Sequence, residues 1–176
     1  MTLVLGVDPG VRACGYAVLE LGKNIKKKMK VIYANDPVAN RQNPNWWMFI
    51  DSLTEELEDI FNGFNIKQVY CECPRVMGGL RGKAAAGRSD IIHLAHHMGI
   101  VAHVARMWDA TFTPVEVAQW KGNLKDAVVW ERVGRPFPPE DSAGNLIKKH
   151  ALDAVGIGVC GFYDTDMRNA SLWGKG

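Results

Sequence analysis

The chain is short of three things: long apolar runs, net charge and paired cysteines. Each shortage removes a class of protein. No apolar stretch approaches the roughly 20 residues that span a bilayer, so no membrane-crossing segment is expected. Formal net charge is only +2, so cations must be clustered locally before a nucleic-acid partner can be argued. Of the four cysteines, Cys14 and Cys160 stand alone, and Cys71-x-Cys73 has no second pair, which excludes the usual zinc spacings. In a strand Cys71 and Cys73 share the face opposite Glu72, so both read as buried free thiols. The first residues run straight into a strand pattern with no basic-then-apolar leader, and a reducing, cytoplasmic setting is expected. Internal repeats and low-complexity blocks are also missing.

What is present is 176 residues at 47% hydrophobic, enough for one globular domain with its own core. That domain is expected over residues 1–165, with a loosely ordered tail over 166–176. Leu3 to Val7 reads as a buried strand ended by Pro9-Gly10. Arg12 to Leu21 reads as a second strand and Lys30 to Ala34 as a third, giving an antiparallel meander. After a polar stretch, Trp46 to Phe61 has helical periodicity, with Trp47, Ile50, Leu53, Leu57, Ile60 and Phe61 on one face. A fourth strand runs from Ile66 to Glu72. A glycine-rich loop follows it, then a helix from Ala84 to Trp108, a fifth strand near Phe112 to Val117, and a helix from Val117 to Val133 interrupted by Gly122. A proline-rich loop then leads to a last helix, Ile147 to Tyr163. This order implies an α/β domain built on a central, mixed five-stranded sheet, its first three strands antiparallel, flanked by helices.

Within that frame three acidic residues sit in apolar surroundings, where an unpaired charge is expensive. Asp8 ends the first strand, and its other reading is an ordinary Asp-Pro-Gly turn. Glu72 ends the fourth strand, where open α/β sheets form their sites; an exposed sheet edge is the alternative. Asp153 lies three residues after His150, on one face of the last helix. Small residues around it (Ala151, Ala154, Gly156, Gly158) suggest close packing on the sheet, although Lys148 or Lys149 could instead be its polar partner. Three carboxylates brought to one point repel unless a cation neutralises them, which suggests a divalent-metal site.

Arg75, Arg81, Lys83 and Arg88 flank the glycines next to Glu72 and are candidate phosphate contacts. Lys26, Lys27, Lys28 and Lys30 cluster at a hairpin, where a solvated tip explains them as well. His93 and His97 have a spacing that can bind metal, but they read better as interface or surface histidines. Leu94, Met98, Val101 and Met107 form an apolar stripe that suits either a core or a dimer contact.

Leu5-Gly6-Val7-Asp8-Pro9-Gly10 followed by Gly15-Tyr16-Ala17-Val18 resembles the opening of the RuvC family of Holliday-junction resolvases. Cys71-Glu72 resembles that family's mid-chain glutamate, and His150-Ala151-Leu152-Asp153-Ala154 its carboxyl-terminal motif. The resemblance covers nearly the whole chain and implies an RNase H-like fold. It implies a homodimeric endodeoxyribonuclease that cuts four-way DNA junctions symmetrically. Asp8, Glu72, His150 and Asp153 carry over as the metal site, with Mg²⁺ or Mn²⁺, two ions per site, as cofactor. Lys121 carries over as a basic residue near the scissile phosphate, with Lys125 a second candidate. The aromatic that family members often place three residues past the glutamate is replaced by Arg75, so Arg75, or Met77 and Leu80 as wedges, would read the junction. Another RNase H-like nuclease and a non-cleaving junction binder are the rival readings. The sequence is silent on a branch-migration helicase partner.

Overall fold

A computed structural model describes residues 1–23, 29–37, 45–73, 90–121, 125, 128–129, 131–132 and 140–164. Strands β1 (Thr2–Asp8), β2 (Gly15–Leu21) and β3 (Met29–Asn35) form the expected meander, β1 with β2 and β2 with β3 antiparallel. The chain then crosses the sheet through helix α1 (Trp46–Gly63). Asn45 caps this helix by accepting the Trp47 N–H at 3.0 Å. Strand β4 (Gln68–Cys73) returns parallel to β1, and helix α2 (Asp90–Met107) leads to β5 (Thr111–Glu116), parallel to β4. One turn of helix, α3 (Val117–Trp120), follows, and the chain ends in α4 (Lys149–Tyr163). The sheet order is β3-β2-β1-β4-β5. The mixed five-stranded sheet with an antiparallel first half is as the sequence implied.

Alternation along the strands divides the core in two. Leu5, Val7, Tyr16, Val18, Val69 and Cys71 face α1 and α2, packing on Leu53, Leu57, Val101 and Val104. Val4, Ala17, Leu19 and Tyr70 face α4, packing on Ala154, Ile157 and Val159. Helix α4 lies directly on the strand backbones: a Cβ at Gly6 would land on the Ala154 carbonyl, and one at Gly15 on the His150 carbonyl. Two strand glycines therefore set the distance between sheet and helix, and with it the position of His150 and Asp153.

Several expectations need correction. Trp47 is not on the buried face of α1; it is 65% exposed, and Phe49 takes the inward place. Met107 likewise leaves the α2 stripe for solvent, while Val101 is buried. The helix expected over Val117 to Val133 stops at Trp120, with Lys121 in a turn; residues 128–129 and 131–132 are helical again. His97 is neither a surface nor an interface residue. It is fully buried, its Nε2 3.1 Å from the Tyr16 hydroxyl and 3.5 Å from Cys14 Sγ, and burial holds its pKa down to about 4. His93 stacks on Trp46 at 4.1 Å rather than joining His97. Cys71 is a buried free thiol as expected, whereas Cys73 is only half-buried; Cys14 and Cys160 are buried free thiols as well. No described helix is long and apolar enough to cross a membrane. The tail 166–176, the basic residues Arg75, Arg81, Lys83 and Arg88, the wedges Met77 and Leu80, and Lys26 to Lys28 lie outside the described residues.

Candidate active site

Strands β1 and β4 are parallel neighbours paired through Val7 and Cys71, so the next residue on each, Asp8 and Glu72, leaves the sheet side by side. Both share the face of Gly6 and Tyr70, the face covered by α4. Because β4 lies between β1 and β5, Glu72 is not an edge residue. Helix α4 enters over this end of the sheet, and His150 in its first turn places Nδ1 2.9 Å from Asp8 Oδ2. Asp153, one turn on, lies 3.4 Å from Lys121 Nζ, and both side chains are largely buried. Lys121 is thus a cation found on Asp153. Trp120, beside it in sequence, donates its indole N–H to Glu72 Oε2 at 2.9 Å.

Charge in this cluster is out of balance. Burial pushes the Glu72 carboxyl up to about 7; the Asp8 and Asp153 charges add to the rise, and the Trp120 hydrogen bond and Lys121 oppose it. The hydrogen bond to Asp8 raises His150 above the usual imidazole range, against desolvation, with the charges of Asp8, Asp36 and Asp153 contributing. A neutral imidazole bound to an ionised carboxylate carries its proton on Nδ1, leaving Nε2 as an acceptor. A cleft of about 620 Å³ opens beside His150 between the turn at Gly10, Arg12 and Ala13 and the start of α2 at Asp90 and His93.

The donor chemistry fits a hard divalent cation. Three carboxylates lie within electrostatic reach, and the charges of Asp8 and Asp153 add to the burial that raises Glu72, a repulsion that a bound cation would remove. Among the described residues, however, no three His, Cys, Asp or Glu side chains already stand at a common ligating distance. Instead, an oxygen of Asp8 is engaged by His150, one of Glu72 by Trp120 and one of Asp153 by Lys121.

Of the residues expected from sequence, Asp8, Glu72, His150, Asp153 and Lys121 come together. Lys125 is exposed; its carbonyl accepts from Val128 and Val129, and it makes none of the described hydrogen bonds of the site. Two residues were missed. Trp120 sits next to Lys121 and is fully buried, and a polar contact for its indole nitrogen is what a buried tryptophan ordinarily needs. Asp36, just past β3, is 9% exposed and lies beside His150 and Lys148. Its place in a polar loop gave no signal of either fact.

No protein-family model and no curated protein sequence matches the chain. Solved structures do. RuvC of T. thermophilus, in complex with a Holliday-junction substrate, superposes with a TM-score of 0.71 at 15% identity, over 92% of this chain and 94% of that one. The yeast mitochondrial Holliday-junction resolvase Ydc2 gives a TM-score of 0.57 at 14% identity, over 98% of this chain and 80% of its own. Fowlpox virus resolvase, bound to Holliday-junction DNA, gives 0.56 at 9% identity, over 92% and 98%. The chain has the RNase H-like fold of RuvC and other Holliday-junction resolvases.

Proposed function

We propose that the protein is a divalent-metal-dependent endodeoxyribonuclease that resolves four-way DNA junctions by paired, symmetric cuts. The observation that carries this reading is the placement of Asp8 and Glu72 on adjacent parallel strand ends beneath the His150–Asp153 turn of α4. The fold shared with proteins bound to Holliday junctions supports it.

In this reading Asp8, Glu72 and Asp153 hold Mg²⁺ or Mn²⁺, two ions per site, with His150 completing the set or contacting the attacking water. Such ions supply charge relief on the attacking and the leaving oxygen of an in-line phosphodiester hydrolysis. The protein's own groups do the rest. Asp8 fixes the His150 ring through Nδ1, so that Nε2 of the neutral ring would be the acceptor for a proton of the attacking water. Lys121, held near Asp153 at 3.4 Å, is placed to offset charge on a non-bridging phosphate oxygen. Trp120 fixes the Glu72 carboxyl and excludes water behind it. Arg75, Arg81, Lys83, Arg88 and Lys125 are proposed as contacts to the DNA backbone, and Met77 as an apolar wedge.

A junction has two-fold geometry, so two sites on a homodimer match the two cuts. The exposed Trp47, Met48 and Ile92, at the starts of α1 and α2, provide apolar surface for a second copy. Sedimentation of the free protein and its junction complex tests this; a single copy in both would remove the dimer.

The test of function is one incubation series with labelled four-way junction, linear duplex and RNA/DNA hybrid, with Mg²⁺, Mn²⁺ or EDTA. Symmetric nicks confined to the junction and lost with EDTA are expected. Cleavage of the hybrid would favour an RNase H-type enzyme, and tight junction binding without cutting a non-cleaving binder.

A further inference from the structure

We propose that Arg12 and His93, on opposite walls of the cleft beside His150, form a subsite for a DNA backbone phosphate next to the one that is cut. The inference deepens the proposed function and rests on it for the identity of the strand, but not for the cleft or its donors.

The cleft, of about 620 Å³, has the size of an ordinary small-ligand site. One wall is the turn after β1, which carries Arg12, and the other is the start of α2, with Asp90 and His93. His150 also lines it and lies 2.9 Å from Asp8, so the cleft opens onto the candidate active site. The chain itself ties the two walls together. A Cβ at Gly10 would land on the Ala13 carbonyl, so the turn is tight. Cys14, which closes the turn, donates its N–H to the Pro37 carbonyl at 3.0 Å. Its Sγ lies 3.5 Å from Nε2 of the buried His97, one helical turn past His93. The cleft is therefore formed before any ligand arrives.

Both walls offer donors. Arg12 is exposed, and none of the described hydrogen bonds or ion pairs engages it. A guanidinium only donates, and its fork matches two oxygens of a phosphate. His93 is held rigidly: its ring stacks on Trp46 at 4.1 Å and 21°, and Trp46 meets the buried Phe49 edge-on at 5.9 Å. Its Nδ1 is buried without a hydrogen-bond partner, so Nε2 is the ring nitrogen left for a ligand in the cleft. In the neutral ring one nitrogen carries the proton, and an orphaned buried N–H is rarer than an orphaned acceptor. The proton therefore sits on Nε2, which donates into the cleft. Two donors facing each other suit an anionic oxygen. Asp90, in the first turn of α2, is the carboxylate on the same wall, where it complements the helix dipole. It tempers the positive charge, so a lone phosphate is held more weakly than one presented on a strand.

The test uses Arg12→Gln and His93→Phe in the full chain; phenylalanine keeps a ring on Trp46 and loses the donor. Arg106→Gln, which removes the same charge at the far end of α2, is the control. The first readout needs neither metal nor cutting. ¹⁵N-histidine-labelled protein in EDTA is titrated with the dinucleoside phosphate TpT and with inorganic phosphate, and His93 is assigned by its absence in His93→Phe. TpT should move the His93 nitrogen signals, Arg12→Gln should weaken that response at least about fivefold, and Arg106→Gln less than about twofold. The second readout is metal-free junction binding across a salt series at about pH 8. Arg12→Gln should lower affinity about 3- to 10-fold at low salt and reduce the salt slope by about one; His93→Phe should lower affinity about threefold with the slope unchanged. No His93 response to TpT, or equal losses in Arg12→Gln and Arg106→Gln, would overturn the subsite. A response to inorganic phosphate alone would overturn its assignment to a strand. If the wild type cuts no junction while TpT still moves His93, the proposed function fails and the subsite stands.

Discussion

The indole Nε1 of Trp120 stands 2.9 Å from Oε2 of Glu72, so the last residue of α3 holds the penultimate residue of β4. The contact favours the ionised carboxylate in a place where burial favours the protonated one. Trp120→Phe keeps most of the buried ring but removes the donor. The Glu72 pKa should then rise further, shifting the acid limb of the single-turnover pH profile to higher pH by about half to one unit. Stability should fall by about 1–3 kcal/mol, read from urea unfolding. An unmoved acid limb would disconnect Trp120 from Glu72.

Glu72 should also make the metal-free protein less stable in alkali. The folded carboxyl keeps its proton up to about 7, whereas the unfolded one releases it near 4.5, so its stabilising contribution is fully present below about 4.5 and is lost as pH rises through about 7. Glu72→Gln should therefore raise Tm by about 2–6 °C at about pH 8, and by nearly nothing at about pH 4. Added Mn²⁺ should raise the wild-type Tm at about pH 8 and leave the variant's nearly unchanged. Thermal scans at the two pH values with and without metal check both statements.

Gly6 and Gly63 form a matched pair of tests. A Cβ at Gly6 meets the Ala154 backbone, while one at Gly63 meets nothing within 4 Å. Gly6→Ala must push α4 off the sheet, so a loss of about 3 kcal/mol or more, or failure to fold, is expected. Gly63→Ala should leave stability unchanged or raise it by up to about 1 kcal/mol. Equal effects in chemical denaturation would contradict the account of how α4 is seated.

The three carboxylates of the candidate site were legible because each conflicts with its surroundings. Asp8 and Glu72 follow apolar strand residues, and the small residues around Asp153 announce a helix pressed on the sheet, as Gly6 and Gly158 then show. The meander and the parallel return were legible from alternation and element order. Side-chain direction within a helix was less so. Trp47 sits in the first turn of α1, where the sheet no longer covers it, and His97 has the composition of a surface residue but finds Tyr16 and Cys14 in the core. Long-range polar partners had no local mark: Trp120 meets Glu72 across 48 positions. The short α3 was legible only in part: Gly122 marks an interruption, but helical periodicity continues past it and hides that the helix already stops at Trp120.

Lys121 is expected to act on the reaction and not on affinity. Lys121→Gln removes the cation beside Asp153 while keeping length and polarity. Single-turnover cutting should slow about 10²-fold, with junction Kd changed by less than about threefold at fixed salt. Parallel losses in rate and affinity would make Lys121 a DNA-backbone contact instead.

Asp8→Asn tests the central claim most directly, because Asp8 joins the strand end, the His150 ring and the proposed ions in one side chain. Four-way junction should be incubated with wild type and variant in Mg²⁺ and in Mn²⁺, with cutting and binding measured on the same samples. The account predicts symmetric nicks by the wild type, cutting by Asp8→Asn slower by about 10³-fold or more, and junction affinity within about threefold. Cutting by Asp8→Asn at the wild-type rate would contradict it.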